Sequence, residues 1–279
     1  MTNRPNPFDL PEWHALRRET ALVRHLLGSG ATALGRANYA DQAGEYYTAF
    51  FGLSVGLERL AKLVLVADSA LSNSGKLPEQ RAVRKFGHKL VDLMNEAESV
   101  QSRQAVVLTY DRPRSETCTK IVTCLDAFAD ASRGRYANFA AIGDPNLGEF
   151  EPISMWWTEI AELILQQHYH GKPVQRRVEK FSRAGDELMA GRAMVLFVSE
   201  KGEMMTDFRS ASERTGQTQI VQKYGRFYTL TVARWLACLY AELCDKACSN
   251  GIDAFFGLGA FLEPYMVDDS FLKTRKSWP

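Results

Sequence analysis

Much that would assign this chain to a functional class is missing from it. Lys+Arg 34 against Asp+Glu 33 leaves a formal net charge of +1, so no global field advertises a nucleic-acid or membrane partner. The longest charge-free apolar stretch, Tyr46 to Leu57, falls well short of the roughly 20 residues that span a bilayer. The opening residues MTNRPNPFDLPEW hold no apolar segment of the kind a secretory signal needs. The five cysteines (118, 124, 238, 244 and 248) are odd in number and not densely spaced, which predicts free thiols in a reducing compartment. HExxH and Walker patterns are absent, which argues against zinc protease and P-loop NTPase readings. A cytoplasmic protein without membrane association is expected.

What is present suffices for a core. Of 279 residues, 46% are hydrophobic and 11% aromatic, which excludes disorder and fits one large domain or at most two small ones. Proline is sparse where helices need it to be: none stands between Pro11 and Pro78, or between Pro173 and Pro264. Since an interior proline costs a helix about 3 kcal/mol, these spans have room for long helices. Tyr46, Phe50, Leu53, Leu57, Leu60, Val64 and Ala67 recur at alternating spacings of four and three, an apolar seam along one helix face. Glu58 and Lys62 lie off that seam in the favourable i,i+4 order, and Gly75 offers a cap or turn beyond it.

Further helices are predicted at about 11–28, 88–103, 115–132, 153–169, 174–199 and 216–249. The last carries Tyr228, Val232, Trp235, Leu239 and Leu243 on one face, with Asn250-Gly251 as its stop. Only Ala105–Tyr110 and Met194–Ser199 read as competing strands. The expectation is a single all-α domain over 1–279, an antiparallel helical bundle with additional C-terminal helices over about 153–250. The tail FFGLGAFLEPY is too apolar to leave in water and is expected to pack back or to meet a second copy.

The sharpest local feature is the run Arg81-Ala-Val-Arg84-Lys85-Phe-Gly-His88-Lys89. Together with Lys76 its cations face a single acidic residue, Glu79. Arginine grips phosphate oxygens with two prongs, and an imidazole moves protons near neutral pH; the plainer alternative is that Gly87-His88 simply opens a helix. Arg135, Tyr136 and Asn138 form a second basic feature at the end of the 115–132 helix. It complements the helix dipole or contacts phosphate and base. Arg176, Lys180 and Arg183 share a third face, which reads as a solvated surface or an RNA contact. His168 and His170 lack a third ligand at matching spacing, Cys244 and Cys248 read as core, and Gly257-Leu-Gly259 lacks the context of a nucleotide loop. The residues thus imply neither cofactor nor metal.

Three stretches carry a resemblance: Gly56-Leu-Glu58-Arg59-Leu-Ala-Lys62-Leu-Val-Leu65, then Phe86-Gly-His88-Lys-Leu90, then Arg135-Tyr136-Ala-Asn138-Phe139. In order and spacing they resemble the bacterial branch of the HEPN superfamily, over about residues 40–142. The resemblance implies a helical bundle that forms a homodimer. It also implies a metal-independent endoribonuclease of phage-defence or toxin–antitoxin systems, or else a catalytically inactive module binding a partner protein or nucleotide. Active members carry Arg and, with four to six residues between, His. Here the pair is Arg81 and His88, which would catalyse attack of the RNA 2′-hydroxyl on the adjacent phosphate. Arg84, Lys85, Arg135, Tyr136 and Asn138 would bind the substrate, and an antitoxin or other defence protein would be the partner.

Overall fold

The seam from Tyr46 to Ala67 is buried along its whole length, each of its seven residues being at most 2% exposed. It belongs to α2 (Gly44–Ser72), which follows α1 (Pro11–Leu34). In this computed structural model, which describes residues 6–129, 151–189, 192 and 194–279, the chain continues through α3 (Gln80–Lys85), α4 (Leu90–Arg103) and α5 (Glu116–Ala129). Next come α6 (Pro152–Met155), a π-helical turn (Trp156–Ala161), α7 (Glu162–His168) and α8 (Pro173–Met189). A hairpin of β1 (Phe197–Val198) and β2 (Met204–Met205) leads into α9 (Phe208–Ser249), and α10 (Asp269–Thr274) lies near the end. The protein is all-α; among the described residues its sheet is this two-stranded hairpin alone.

Two compact units divide the chain. One comprises residues 1–30, 52–114 and 230–279, the other 31–51 and 115–229, so residues 40–142 contribute to both.

In the first unit, α1 and α2 approach closely because two glycines of α2 leave room. A Cβ on Gly52 would lie 2.8 Å from the Leu26 carbonyl oxygen and 3.1 Å from Gly30 Cα. One turn on, a Cβ on Gly56 would meet Leu27 Cδ2 at 2.9 Å. The helix ends as expected: Gly75 takes φ +87° and its N–H reaches the Ala70 carbonyl at 2.8 Å. α9 stops in the same way, with Gly251 at φ +81° and the Ile252 N–H on the Ala247 carbonyl, the 6→1 bond of a left-handed cap. The apolar tail packs back. Phe255, Leu258, Leu262 and Tyr265 are fully buried, and the Tyr265 hydroxyl donates to the Arg24 carbonyl at 2.5 Å. Phe256 stays 48% exposed, so burial of the tail weakens the case for a second copy, and the expectation of self-association rests mainly on the resemblance.

In the second unit, the expected helix over 153–169 contains the π-helical turn. The wider turn lets two adjacent tryptophans, Trp156 and Trp157, both be buried (0% and 1% exposed). Trp156 packs on Phe50 at 5.4 Å between ring centroids, whereas Trp157 donates from its indole to the Tyr46 hydroxyl at 2.9 Å. The helix expected over 174–199 is corrected: α8 ends at Met189, and Phe197–Val198 pairs antiparallel with Met204–Met205. A β-branched and aromatic run prefers the pleat, and Gly202 at φ +80° closes the turn, donating to the Ser199 carbonyl at 2.9 Å. Ala105–Tyr110, the other candidate strand, is irregular, with Ala105 at φ +51°. α9 begins eight residues before the expected 216, where Asp207 accepts from the Ser210 N–H at 2.7 Å, a side-chain cap.

Gly52→Ala tests the close approach. An alanine adds about 1 kcal/mol of helix preference, but its Cβ collides with backbone atoms that have nowhere to go, and overpacking costs about 1–3 kcal/mol. We expect a net loss of stability in urea unfolding, while Gly44→Ala, whose Cβ meets nothing within 4 Å, is neutral or slightly stabilising. Equal behaviour of the two variants would refute the packing argument.

Candidate functional site

α3 is six residues long and buries none of them. Phe86 caps it, Gly87 turns the chain at φ +75°, and Lys89 starts α4, which is anchored by Leu90, Leu93, Met94, Ala97 and Val100. His88 therefore stands on a short connection between two helices, with its side chain 83% exposed. Its Nδ1 lies 2.9 Å from Glu58 Oε1, and the Lys62 ammonium donates to that same oxygen at 2.7 Å while standing 3.3 Å from Nδ1. An ammonium only donates, so the arrangement is consistent when Nδ1 carries a proton given to Glu58 and Nε2 faces solvent.

Burial alone would raise the Glu58 carboxyl. The hydrogen bonds and charges of Lys62 and His88 outweigh it and hold the group below its ordinary value. Glu58 and Lys62 are only 17% and 18% exposed, so the imidazole is oriented by a half-buried ion pair. Chemically, this is an imidazole held through Nδ1 on a side chain that is otherwise exposed.

Arg81, Arg84 and Lys85 are exposed on α3 and form no ion pair or side-chain hydrogen bond among the described residues. No hydrogen bond joins Arg81 to His88. Lys85 and Phe86 line a groove of about 620 Å³ with Asp68, Asp92 and Glu96. Its far wall is fixed by Arg103, which donates to Asp68 at 2.7 Å and to Glu96 at 3.1 Å. Arg135, Tyr136 and Asn138 lie outside the described residues.

In the second unit, Arg176, Lys180 and Arg183 share one face of α8, but Glu179 and Glu187 line the same shallow groove. His168 stacks on Tyr224 at 3.6 Å and bonds to the Tyr228 hydroxyl through Nε2, whereas His170 faces Glu162. The two imidazoles thus serve different partners. Among the described residues, no group of three or more His, Cys, Asp or Glu side chains is placed to hold a metal ion, and no helix is long and apolar enough to cross a membrane.

The sequence pointed to His88 but missed the residues that hold it. Glu58 and Lys62 read as a surface i,i+4 pair, and nothing local signals that residue 88 returns to it. No protein-family model, curated protein or solved structure matches the chain.

The Glu58 cluster has a stated pH dependence. A carboxyl held below its ordinary value, about 4.5, stabilises the fold above that pH and loses its contribution as pH falls through the folded-state value. Glu58→Gln should cost about 1 kcal/mol at neutral pH, and the difference from the parent should shrink as the pH falls below 4.5. A pH-independent difference in urea midpoints would contradict the assignment.

Proposed function

We propose that the chain is an endoribonuclease that cleaves RNA by transesterification, with His88 as its acid–base group and phage defence or a toxin–antitoxin pair as its setting. The observation that carries this reading is the exposed imidazole whose Nδ1 is bound to Glu58 and whose Nε2 is open. Nε2 takes the proton of a ribose 2′-hydroxyl as the 2′-oxygen attacks phosphorus. The bond to the 5′-oxygen breaks, that oxygen acquires a proton, and a 2′,3′-cyclic phosphate is left. Arg81, Arg84 and Lys85, unpaired on the neighbouring helix, supply charge for the phosphoryl oxygens. A homodimer, an antitoxin-like protein partner and phosphate or base contacts from Arg135, Tyr136 and Asn138 belong to the same proposal, on the strength of the resemblance.

A second reading has its own observation. Active members of the resembling family often carry a polar residue directly after the arginine, and here it is Ala82. A silent module binding a protein or nucleotide would fit that residue.

The two separate in one assay: purified protein with total RNA in EDTA. The nuclease reading expects His88→Ala to lower the cleavage rate by roughly a hundred- to ten-thousand-fold with little change in melting temperature. Arg81→Lys should also be damaging, because the two-pronged grip is lost. A parent without cleavage, or variants cleaving at the parental rate, would overturn it in favour of the silent module.

A further inference from the structure

The groove of about 620 Å³ in the first unit runs on from the surroundings of His88. Glu58 and Lys62, which hold the imidazole, share one face of α2 with Leu65, Ser69 and Ser72 of the groove lining. Spacings of three and four residues return to the same side of a helix. At 1.5 Å per residue, Ser69 lies about 10 Å along the helix from Lys62. α4 contributes Asp92, Leu93 and Glu96, and Phe86, two residues before His88, joins the lining.

Most polar groups of this lining are already engaged. Arg103 donates to Asp68 and Glu96, and Gln104 donates to Asp68 at 2.7 Å and to Ser72 at 3.4 Å. The Asn73 amide donates to the Ser69 carbonyl at 2.7 Å. The Asp92 carboxylate and the Lys85 ammonium differ: both are exposed, and neither makes a hydrogen bond or ion pair among the described residues. Leu65 and Leu93 supply buried apolar lining, and Phe86 is half-buried.

An aromatic ring, apolar side chains and an unclaimed carboxylate suit a flat ligand with apolar faces and N–H donors on its edge. An unclaimed ammonium in the same lining, with Arg81 and Arg84 unpaired on the helix that carries it, calls for negative charge on that ligand. Among the neutral nucleobases, guanine alone sets an imino and an amino N–H side by side, where one carboxylate accepts both.

We propose that this groove binds the base of a guanine nucleotide, stacked against Phe86, with its N1–H and 2-amino group given to Asp92 and its phosphate beside Lys85. The inference rests on the reading of the chain as one that binds RNA or a nucleotide, and it needs no catalysis at His88.

The test is fluorescence anisotropy of the full chain with labelled hexanucleotides whose 2′-oxygens are methylated, so that transesterification is blocked. A strand with one guanine among uridines should bind at least about fivefold more tightly than an all-uridine strand. Hypoxanthine in place of that guanine lacks the 2-amino group and should remove most of the gain. Asp92→Asn, at an exposed position without contacts, should bring the guanine strand to within about twofold of the uridine strand. Phe86→Leu should weaken the guanine strand by about threefold or more. Arginine amide, a planar fork of donors without phosphate, should displace that strand at least about tenfold less effectively than guanosine monophosphate. No saturable binding of the guanine strand, equal binding of both strands, or unchanged affinity for guanine in either variant would overturn the proposal. Stronger competition by arginine amide would overturn it in favour of an arginine from a protein partner. A guanine preference in a protein that leaves total RNA intact would sink the nuclease reading and support this one. Cleavage without any such preference would do the opposite.

Discussion

Helix α2 can lie as close to α1 as it does only because Gly52 and Gly56 present no side chain to Leu26, Leu27 and Gly30. Much else is carried by that helix. Its seam supplies a continuous buried face, and the residues off the seam carry the ion pair that orients His88. A helix packed against backbone has little freedom to rotate, since turning it by one residue would drive a side chain into the Leu26 carbonyl. Glu58 and Lys62 are thereby held at a fixed azimuth toward His88.

The parts of the fold legible in the sequence are those decided locally. The alternating four-and-three spacing of Tyr46 to Ala67, the stops at Gly75 and Asn250-Gly251 and the inward return of the apolar tail all follow from residue chemistry within a few turns. What escaped depends on neighbours far along the chain. The π-helical turn exists so that two adjacent tryptophans can bury against different partners, and nothing in WWTEIA by itself demands it. The hairpin at 197–205 follows a stretch that reads as helix and is set by Gly202, one glycine among twenty. At the candidate site, His88 was visible and its supports were not, because Glu58 is thirty positions away. Glu200, flanked by Ser199 and Lys201, looks like any turn residue until Tyr46 and Trp157 are seen to surround it.

The two polar centres follow opposite electrostatic strategies. Glu58 is half-buried but matched by a lysine and a histidine, so its charge is stabilised and its partner imidazole is left open to solvent. Glu200 is almost wholly removed from water, and burial raises its carboxyl above the ordinary value despite the Arg214 charge nearby. The first arrangement keeps its charge matched while leaving an imidazole exposed. The second leaves one carboxyl oxygen buried without a hydrogen bond, at a cost to stability.

The cysteines lead to a practical end. Cys118, Cys124, Cys238 and Cys244 are buried and in no disulfide, and burial pushes Cys124 up to about 12 and Cys238 up to about 11. At neutral pH the thiolate fractions of Cys124, Cys238 and Cys244 are very small, and their alkylation in the closed protein is slow. Cys124 belongs to the second unit and Cys238 and Cys244 to the first. Their labelling rates under native conditions are therefore clocks for the opening of each unit, built into the wild-type chain.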